Sequence, residues 1–456
     1  MNTEGNGPQE PSELEAADLR EEDEAFDDTR QGEARNVVLR RHAEAIDADP
    51  QRPVLAEVLD RSRRDGHKLL AKRDEVLVRT EDLTPALVQG LRGYVQDDAR
   101  STSDVVLFVH PDGPDPDFET RFEEARTGGA TLLPNGLCAA SQPKMKGGSG
   151  PHPAPRFLPA RGDSTLGAGV LIAVIDTGIW DDAERRSDGW LDGVPEARDR
   201  ANIDPLDVVG NDQLLDLGAG HGTFVAGLIR QVAPGADVVV FRALDTDGVG
   251  TDESVALAIE AAAGAKADII HLSLAGPGFD GEEPPRINSA IANLPSDTVV
   301  VAAAGNEGTR ERMFPAAIKR VVAVGALTRG GQRAKWSSYG PWVDVWAVGE
   351  GTISTFVSGT TSDLDGTPRY RWDGLNPIAM WSGTSYAAPQ VTGMIAARMT
   401  VEAGRSASGA RVAATTALAH VRDEALAVKG VGRVVGPIDF TIEHPSTPDT
   451  PQGERL

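Results

Sequence analysis

Six short apolar runs, rich in valine and isoleucine, recur from about residue 168 onward, with helical patterns between them. The apolar residues are consecutive rather than alternating, which is typical of strands covered on both faces. The predicted strands lie at 170–176, 237–244, 268–274, 297–305, 321–327 and 343–349. Strands separated by helices predict an α/β fold with a doubly wound, mainly parallel sheet and helices on both faces. Functional residues are then expected where the strands end.

A different pattern occupies residues 35–140. Alternating segments predict a small α/β or α+β domain there. Strands are predicted at 75–80 and 105–110, extended chain at 131–140, and helices at 36–47 and 117–125. Another helix is predicted to begin at Thr84-Pro85, because a capping hydroxyl there precedes a proline at the first helical position.

Composition divides the remaining chain. Residues 1–34 form an acidic tail, since the first 28 residues contain 11 acidic side chains and one basic side chain. Such a segment has too little apolar surface to fold and is predicted to be disordered. Residues 141–167 are rich in glycine and proline, which predicts a linker. The parallel-sheet domain is expected at 168–435 and a C-terminal tail at 436–456.

The whole chain of 456 residues has a net charge of −24, which argues against nucleic acid or an anionic membrane as a partner. No apolar run approaches the roughly 18 residues of a membrane-spanning helix. The N-terminus lacks the basic start and apolar stretch of a secretion signal. The single cysteine, Cys138, excludes an internal disulfide and a cysteine-based metal cluster. We therefore expect a cytoplasmic protein.

Two polar residues stand at the ends of predicted elements, one at the end of a strand and one at the start of a helix. Asp176 ends the first strand and precedes a Thr-Gly turn; this motif occurs once, whereas aspartic peptidases need two such aspartates. His221 lies between Gly220 and Gly222, which should leave its ring unshielded, and Thr223 is the expected cap of the helix that follows. A structural role for either side chain remains open on the residues alone.

Two further residues have settings that suit acyl-transfer chemistry. Ser385 stands at the start of a predicted helix, where free backbone amides and the helix dipole favour a developing negative charge. Asn306 follows the strand at 297–305 and could offer its amide to an oxyanion. An ordinary capping serine and a turn asparagine are the alternatives.

Taken together, these residues lie in motifs that resemble those of the subtilisin-like serine peptidases. The motifs are DTGI (176–179), GHGTFVAG (220–227), AAAGNEG (302–308) and SGTSYAAP (382–389). The order Asp, His, Ser is the order known for that family. The resemblance spans about residues 168–425 and implies a subtilisin-like fold.

The resemblance also implies a function, hydrolysis of peptide bonds by a serine endopeptidase through an acyl-enzyme. Ser385 would be the nucleophile, His221 the general base and Asp176 its orienting partner. Asn306 and the Ser385 amide would bind the oxyanion. No cofactor is required. Structural calcium is common in the family and an acidic loop such as 181–193 could hold it, although such a loop is usually only solvated, so the metal ligands are unknown.

Substrate contacts are implied by the same resemblance. Gly248, Val249 and Gly250 would pair with the substrate backbone as an added strand. The primary pocket would be lined by Ser273, Leu274, Ala275, Gly276, Ala303, Ala304 and Gly305. These small residues leave room for a large apolar or aromatic side chain of a protein or peptide substrate.

Several residues depart from the family pattern. Phe224 stands where a second histidine is common, His271 replaces a common asparagine, and Tyr386 replaces a frequent methionine. Residues 361–372 (TSDLDGTPRYRW) predict an additional hairpin near the leaving-group side. None of these departures replaces a residue of the predicted triad.

Two questions stay open at the level of sequence. A pseudopeptidase that binds peptides without cleaving them is the alternative to an active enzyme. Residues 35–140 are either a pro-domain that acts as an intramolecular inhibitor and is cut off within 141–165, or a recognition domain that stays attached.

Overall fold

The structure is a computed structural model. It describes residues 55–59, 68–127, 131–140, 150–154, 163–181, 200–208, 211–362, 366–373, 377–405, 412–428, 432–435 and 453–455. The predicted acidic tail, the predicted helix at 36–47, most of the acidic loop 181–193 and most of the C-terminal tail lie outside these residues.

The described strands fall into the predicted N-terminal and parallel-sheet regions, with short antiparallel additions. In chain order they are β1 (Leu55–Leu59), β2 (Lys68–Arg79), β3 (Val95–Gln96), β4 (Val105–Val109), β5 (Leu133–Ala140), β6 (His152–Pro153), β7 (Leu171–Asp176), β8 (Asp237–Arg242), β9 (Val249–Thr251), β10 (Ile269–Leu272), β11 (Leu274–Pro277), β12 (Val299–Ala303), β13 (Met313–Phe314), β14 (Val321–Leu327), β15 (Val345–Val348), β16 (Thr352–Thr355), β17 (Gly359–Ser362), β18 (Pro368–Trp372), β19 (Ile378–Trp381), β20 (Leu426–Val428), β21 (Gly432–Val434) and β22 (Gly453–Arg455).

The six strands predicted from the apolar runs form one parallel sheet, in the order β8-β7-β10-β12-β14-β15. Strand β21 extends it in parallel and β20 closes that edge antiparallel. The prediction of a mainly parallel α/β sheet is confirmed.

Helices cover both faces of this sheet. The α-helices are α1 (Pro85–Gly90), α2 (Phe118–Thr127), α3 (His221–Val232), α4 (Asp252–Gly264), α5 (Pro285–Ala292), α6 (Thr384–Arg405) and α7 (Ala414–Glu424). Within β7, Ile172 and Val174 join the apolar cluster of α3 and α6, whereas Ala173 and Ile175 join that of α4 and α5. Alternate side chains of one strand thus reach two cores, which explains its continuous apolar sequence.

The N-terminal region is an antiparallel sheet in which β2 pairs with β1, β4 and β5. Helices α1 and α2 pack against its apolar cluster, which includes Leu77, Leu107 and Phe122. Helix α1 begins as expected, because the Thr84 hydroxyl accepts a hydrogen bond from the Leu87 amide at 3.2 Å. The prediction of a small mixed α and β unit agrees with this arrangement.

Strand β5 belongs to two sheets. Its first half pairs with β2 of the N-terminal sheet. Its second half continues between β9 and β11, which are strands of the larger domain, and is antiparallel to both. The N-terminal region therefore shares this strand with the larger domain.

Two smaller features concern the predicted linker and hairpin. Within the predicted linker 141–167, strand β6 pairs with β19, and Ala154 is fully buried. The hairpin predicted at 361–372 is present as β17 and β18. In the described part of the chain, no helix combines the length and apolar character needed to cross a bilayer.

Candidate active site

The carboxyl end of β7 and the first residue of α3 bring together a carboxylate and an imidazole. The Nδ1 atom of His221 lies 2.7 Å from Oδ1 and 2.9 Å from Oδ2 of Asp176. Because a carboxylate only accepts hydrogen bonds, Nδ1 carries the proton and Nε2 is the basic nitrogen. Nε2 is buried and has no hydrogen-bond partner among the residues that the structure describes.

The expectation that the flanking glycines leave His221 unshielded is wrong, since the side chain is 0% exposed. Its ring packs edge-on against Trp381 at 5.7 Å between centroids and lies 5.5 Å from Tyr386. Gly222 serves close packing instead, because a Cβ there would lie 2.2 Å from the Gly178 carbonyl oxygen.

Thr223 was expected to cap α3, and this is also wrong. The helix begins at His221, and its N-cap is Gly220, whose φ of 77° is left-handed. The Thr223 hydroxyl accepts a hydrogen bond from the Trp180 amide at 2.9 Å. Thr223 therefore ties the helix to the loop after β7.

Ser385 is the second residue of α6, in agreement with the predicted helix start, and it is fully buried. Its hydroxyl donates to the backbone oxygen of Ser273 at 3.0 Å. Ser273 lies between β10 and β11, at the edge that holds β5. To reach His221, the Ser385 side chain has to leave this acceptor.

Asn306 follows β12 and is held by the start of α6. Its Oδ1 accepts hydrogen bonds from the Thr384 amide and hydroxyl, both at 3.0 Å. These donors fix the amide orientation, so that Nδ2 points the other way. Nδ2 is buried and unpaired within the described part of the chain. Such an atom is available to an oxyanion.

The residues predicted to contact substrate lie on two strand edges and one loop. Val249 and Gly250 lie in β9, with Gly248 in the turn before it, and Leu274, Ala275 and Gly276 lie in β11. Ala303 ends β12, and Ala304 and Gly305 follow it. Their role as a primary pocket stays a prediction, but Ser273, directly before β11, contacts Ser385.

The space between those two edges holds a peptide, namely the second half of β5. Cys138 pairs with Gly250, and Ala139 pairs with both Val249 and Ala275. Ala140 pairs with Leu274. The expectation that β9 takes an added strand therefore agrees with what the chain does with its own segment.

A buried carboxylate that was not predicted from the sequence, Asp204, helps to hold the elements that carry Asp176 and His221. Asp204 accepts hydrogen bonds from the Thr177 hydroxyl at 3.0 Å and from the Gly220 amide at 2.9 Å. It thus joins the end of β7 to the start of α3. Burial raises the pKa of Asp204 to about 6, against these hydrogen bonds. A single aspartate in a loop gave no signal of this role.

Departures from the family pattern meet behind the imidazole. Phe224 packs against Tyr386 at 4.8 Å and Trp381 at 5.6 Å between centroids. Phe224 therefore packs between α3, α6 and β19. In the described residues no group of three or more His, Cys, Asp or Glu side chains is arranged to hold a metal ion.

Comparisons with known proteins agree with these motifs. A family model described as "Subtilase family" matches residues 167–432. The chain is 36% identical over 246 residues to a thermophilic serine proteinase of Bacillus sp. (strain AK1), covering 51% of this chain and 53% of the relative. It is 33% identical over 269 residues to thermitase of Thermoactinomyces vulgaris, covering 56% of this chain and 83% of thermitase. A solved cold adapted subtilisin-like serine proteinase is 24% identical, with a TM-score of 0.44, over 62% of this chain and 95% of that structure.

Proposed function

The chain belongs to the subtilase family, and on that premise we propose that it is a serine endopeptidase that hydrolyses peptide bonds of protein substrates. The observation that carries this proposal is the peptide strand between β9 and β11. An extended chain is bound there by its backbone, and its end lies at the edge that Ser385 contacts.

The proposed mechanism uses four side chains in named roles. Ser385 turns from the Ser273 oxygen to His221, whose Nε2 takes the hydroxyl proton as Oγ attacks the peptide carbonyl carbon. Asp176 keeps the imidazole oriented and stabilises its charged form. Nδ2 of Asn306 and the backbone amide of Ser385 bind the oxyanion. His221 then protonates the leaving amine, and water hydrolyses the acyl-enzyme by the reverse route.

Labelling with a fluorophosphonate probe tests this mechanism. The wild-type protein should be labelled once, at Ser385, and Ser385→Ala should lose labelling completely, because the probe traps the activated hydroxyl. Ser382→Ala is the matched control and should remain labelled. Equal labelling of Ser385→Ala and wild type would contradict the proposal. Absence of labelling and of casein hydrolysis, even after the N-terminal region has been removed, would favour the peptide-binding alternative.

We further propose that the N-terminal region is an intramolecular inhibitor. Besides β5, polar and aromatic contacts join it to the larger domain. Arg79 pairs with Glu282 at 2.7 Å, and the buried Arg126 pairs with Asp280. The Asn135 side chain accepts a hydrogen bond from the Glu253 amide at the start of α4, at 3.1 Å. While β5 fills the cleft, no substrate strand can pair with β9 and β11.

The register suggests which bond is cut. The described part of β5 ends at Ala140, which pairs with Leu274, the residue directly after Ser273. Since Ser385 Oγ contacts the backbone oxygen of Ser273, we expect cleavage of the Ser141–Gln142 bond. Mass spectrometry of purified wild-type protein should find a fragment beginning at Gln142. The fragment should be missing from Ser385→Ala, and an active enzyme that stays uncut would contradict the inhibitor proposal.

A further inference from the structure

A second buried histidine lies beneath the nucleophile. His271, in β10, is 0% exposed, and both of its ring nitrogens are hydrogen-bonded to hydroxyl groups. Nδ1 lies 2.8 Å from the Thr392 hydroxyl, and Nε2 lies 2.7 Å from the Ser273 hydroxyl. Thr392 lies on α6, about two helical turns beyond Ser385.

The direction of these hydrogen bonds follows from their last member. The Ser273 hydroxyl donates to the backbone carbonyl of Ser385 at 3.1 Å, and a carbonyl can only accept. Ser273 must therefore accept from His271, which places the imidazole proton on Nε2. Nδ1 is then the acceptor and receives the proton of the Thr392 hydroxyl. The chain runs in one direction, from Thr392 through His271 and Ser273 to Ser385.

The Ser385 carbonyl needs this donor. In an α-helix its hydrogen bond would come from the amide four residues later, which here is Pro389, inside α6. Proline has no N–H, and its ring crowds that carbonyl. A buried carbonyl without a partner is costly, so the Ser273 hydroxyl replaces the missing helical donor.

We propose that His271 is a positioning residue for catalysis, which orients the Ser273 hydroxyl and thereby fixes the backbone of Ser385 and the strand edge beside it. The inference rests on the proposed role of Ser385 as nucleophile. The proposal also gives a role to His271 at a position where asparagine is common in the family. The imidazole bridges two points of α6 to the end of β10 and sets the nucleophile relative to the substrate strand.

A neutral ring is required for this chain of hydrogen bonds. Burial, and to a lesser extent the nearby His221, lower the pKa of His271 to about 3. The imidazole therefore keeps one donor and one acceptor at neutral pH. A second positive charge is also absent when His221 is protonated during turnover.

His271→Leu and His271→Gln test the proposal. Leucine removes the donor to Ser273, whereas the glutamine amide can place an N–H near the position of Nε2. We expect kcat per probe-titrated site to fall about tenfold in His271→Leu, with KM within about twofold, because the nucleophile loses its alignment. His271→Gln should recover most of this loss. A purely structural role would lower the titrated fraction and the melting temperature and leave kcat per site unchanged.

Substitutions at the two ends of the chain provide the second measurement. Thr392→Val should lower kcat about threefold. Ser273→Ala should lower it as much as His271→Leu does, and the double variant should be no slower than either single variant. Additive losses, or equal kcat in His271→Leu and wild type, would overturn the proposal. Failure of the proposed function gives a different result, since the wild type itself would then not be labelled. If His271→Leu does not fold, the kcat values of the other two variants decide. The proposal then requires Ser273→Ala to be about three times slower than Thr392→Val, and unchanged kcat in both variants would overturn it.

Discussion

Strands β7 and β5 both end at the active site, but they are held there by different interactions. Residues 172–175 of β7 are at most 1% exposed and lie between two parallel neighbours, β8 and β10. The second half of β5 pairs through its backbone with the antiparallel edges β9 and β11. The candidate site thus lies between a strand that buries side chains in two cores and a strand that lies between two antiparallel edges.

This difference has a functional meaning. Apolar burial on both faces makes β7 a permanent part of the domain, because its removal would expose two cores. Backbone pairing accepts many sequences, so β5 can be exchanged for another extended peptide. The surrounding contacts of the N-terminal region include polar pairs, such as Arg79 with Glu282, which suit an interface that separates.

The largest expected effect is a difference in the free energy of unfolding between substitutions in β7 and in β5. Ile175 and Cys138 belong to the same apolar cluster. We expect Ile175→Ala to lower the free energy of unfolding by about 3 kcal/mol, because it leaves a cavity in a closed core. Cys138→Ala should cost about 1 kcal/mol. Denaturant unfolding of both variants in the Ser385→Ala background measures this, and equal losses would remove the distinction.

A smaller effect should come from the edge that holds β5. An added Cβ at Gly276 would lie 2.8 Å from the Leu137 carbonyl oxygen, whereas one at Gly250 would lie 2.7 Å from the Ala243 carbonyl oxygen. Gly276→Ala therefore crowds only the bound strand, and KM for peptides should rise about tenfold with little loss of stability.

Gly250→Ala is the matched control, because its clash lies within the larger domain. We expect this variant to melt at a lower temperature than Gly276→Ala. An unchanged KM in Gly276→Ala, measured on a peptide substrate of at least four residues before the cut bond, would show that substrates do not follow the path of β5.

The smallest effect concerns pH. Asp252 begins α4 and accepts hydrogen bonds from the Arg286 and Ile287 amides of α5. Burial, and in part the neighbouring Glu253, raise the pKa of Asp252 to about 7 from 3.8. Because the folded chain then binds a proton that the unfolded chain releases, this group favours folding at low pH. Its contribution is lost as pH rises through about 7.

Asp252→Asn should flatten this dependence. In the Ser385→Ala background, we expect the fall in melting temperature between pH 4 and 7 to become smaller by about 3 °C. Asp204, whose pKa is also raised, contributes with the same sign, so some slope should remain. An unchanged slope in Asp252→Asn would assign the pH dependence to other groups.

The parallel sheet could be predicted from sequence because each strand is apolar at consecutive positions. The ends of these strands then located Asp176 and Asn306, and the helix starts located His221 and Ser385. Local signals such as Thr84-Pro85 were equally readable, since capping depends on neighbours along the chain.

Features that depend on distant residues could not be predicted in this way. The hydrogen bond from Thr392 to His271 joins positions 121 residues apart, and neither residue has a local pattern that reveals it. The burial of His221 depends on Trp381 and Tyr386, which come from other elements. The misassigned cap at Thr223 has the same origin, because its partner is the Trp180 amide.

Because β5 belongs to the N-terminal region but lies in the cleft of the larger domain, we expect its occupancy of the cleft to depend on protein concentration after cleavage. In an intact chain the tether keeps this strand at a high effective concentration beside β9 and β11, on the order of millimolar for a short flexible connection. The proposed cut after Ser141 would remove the tether, and occupancy of the cleft would then follow mass action between two separate polypeptides. We therefore expect the cleaved protein to be inactive in a concentrated stock solution and active after dilution.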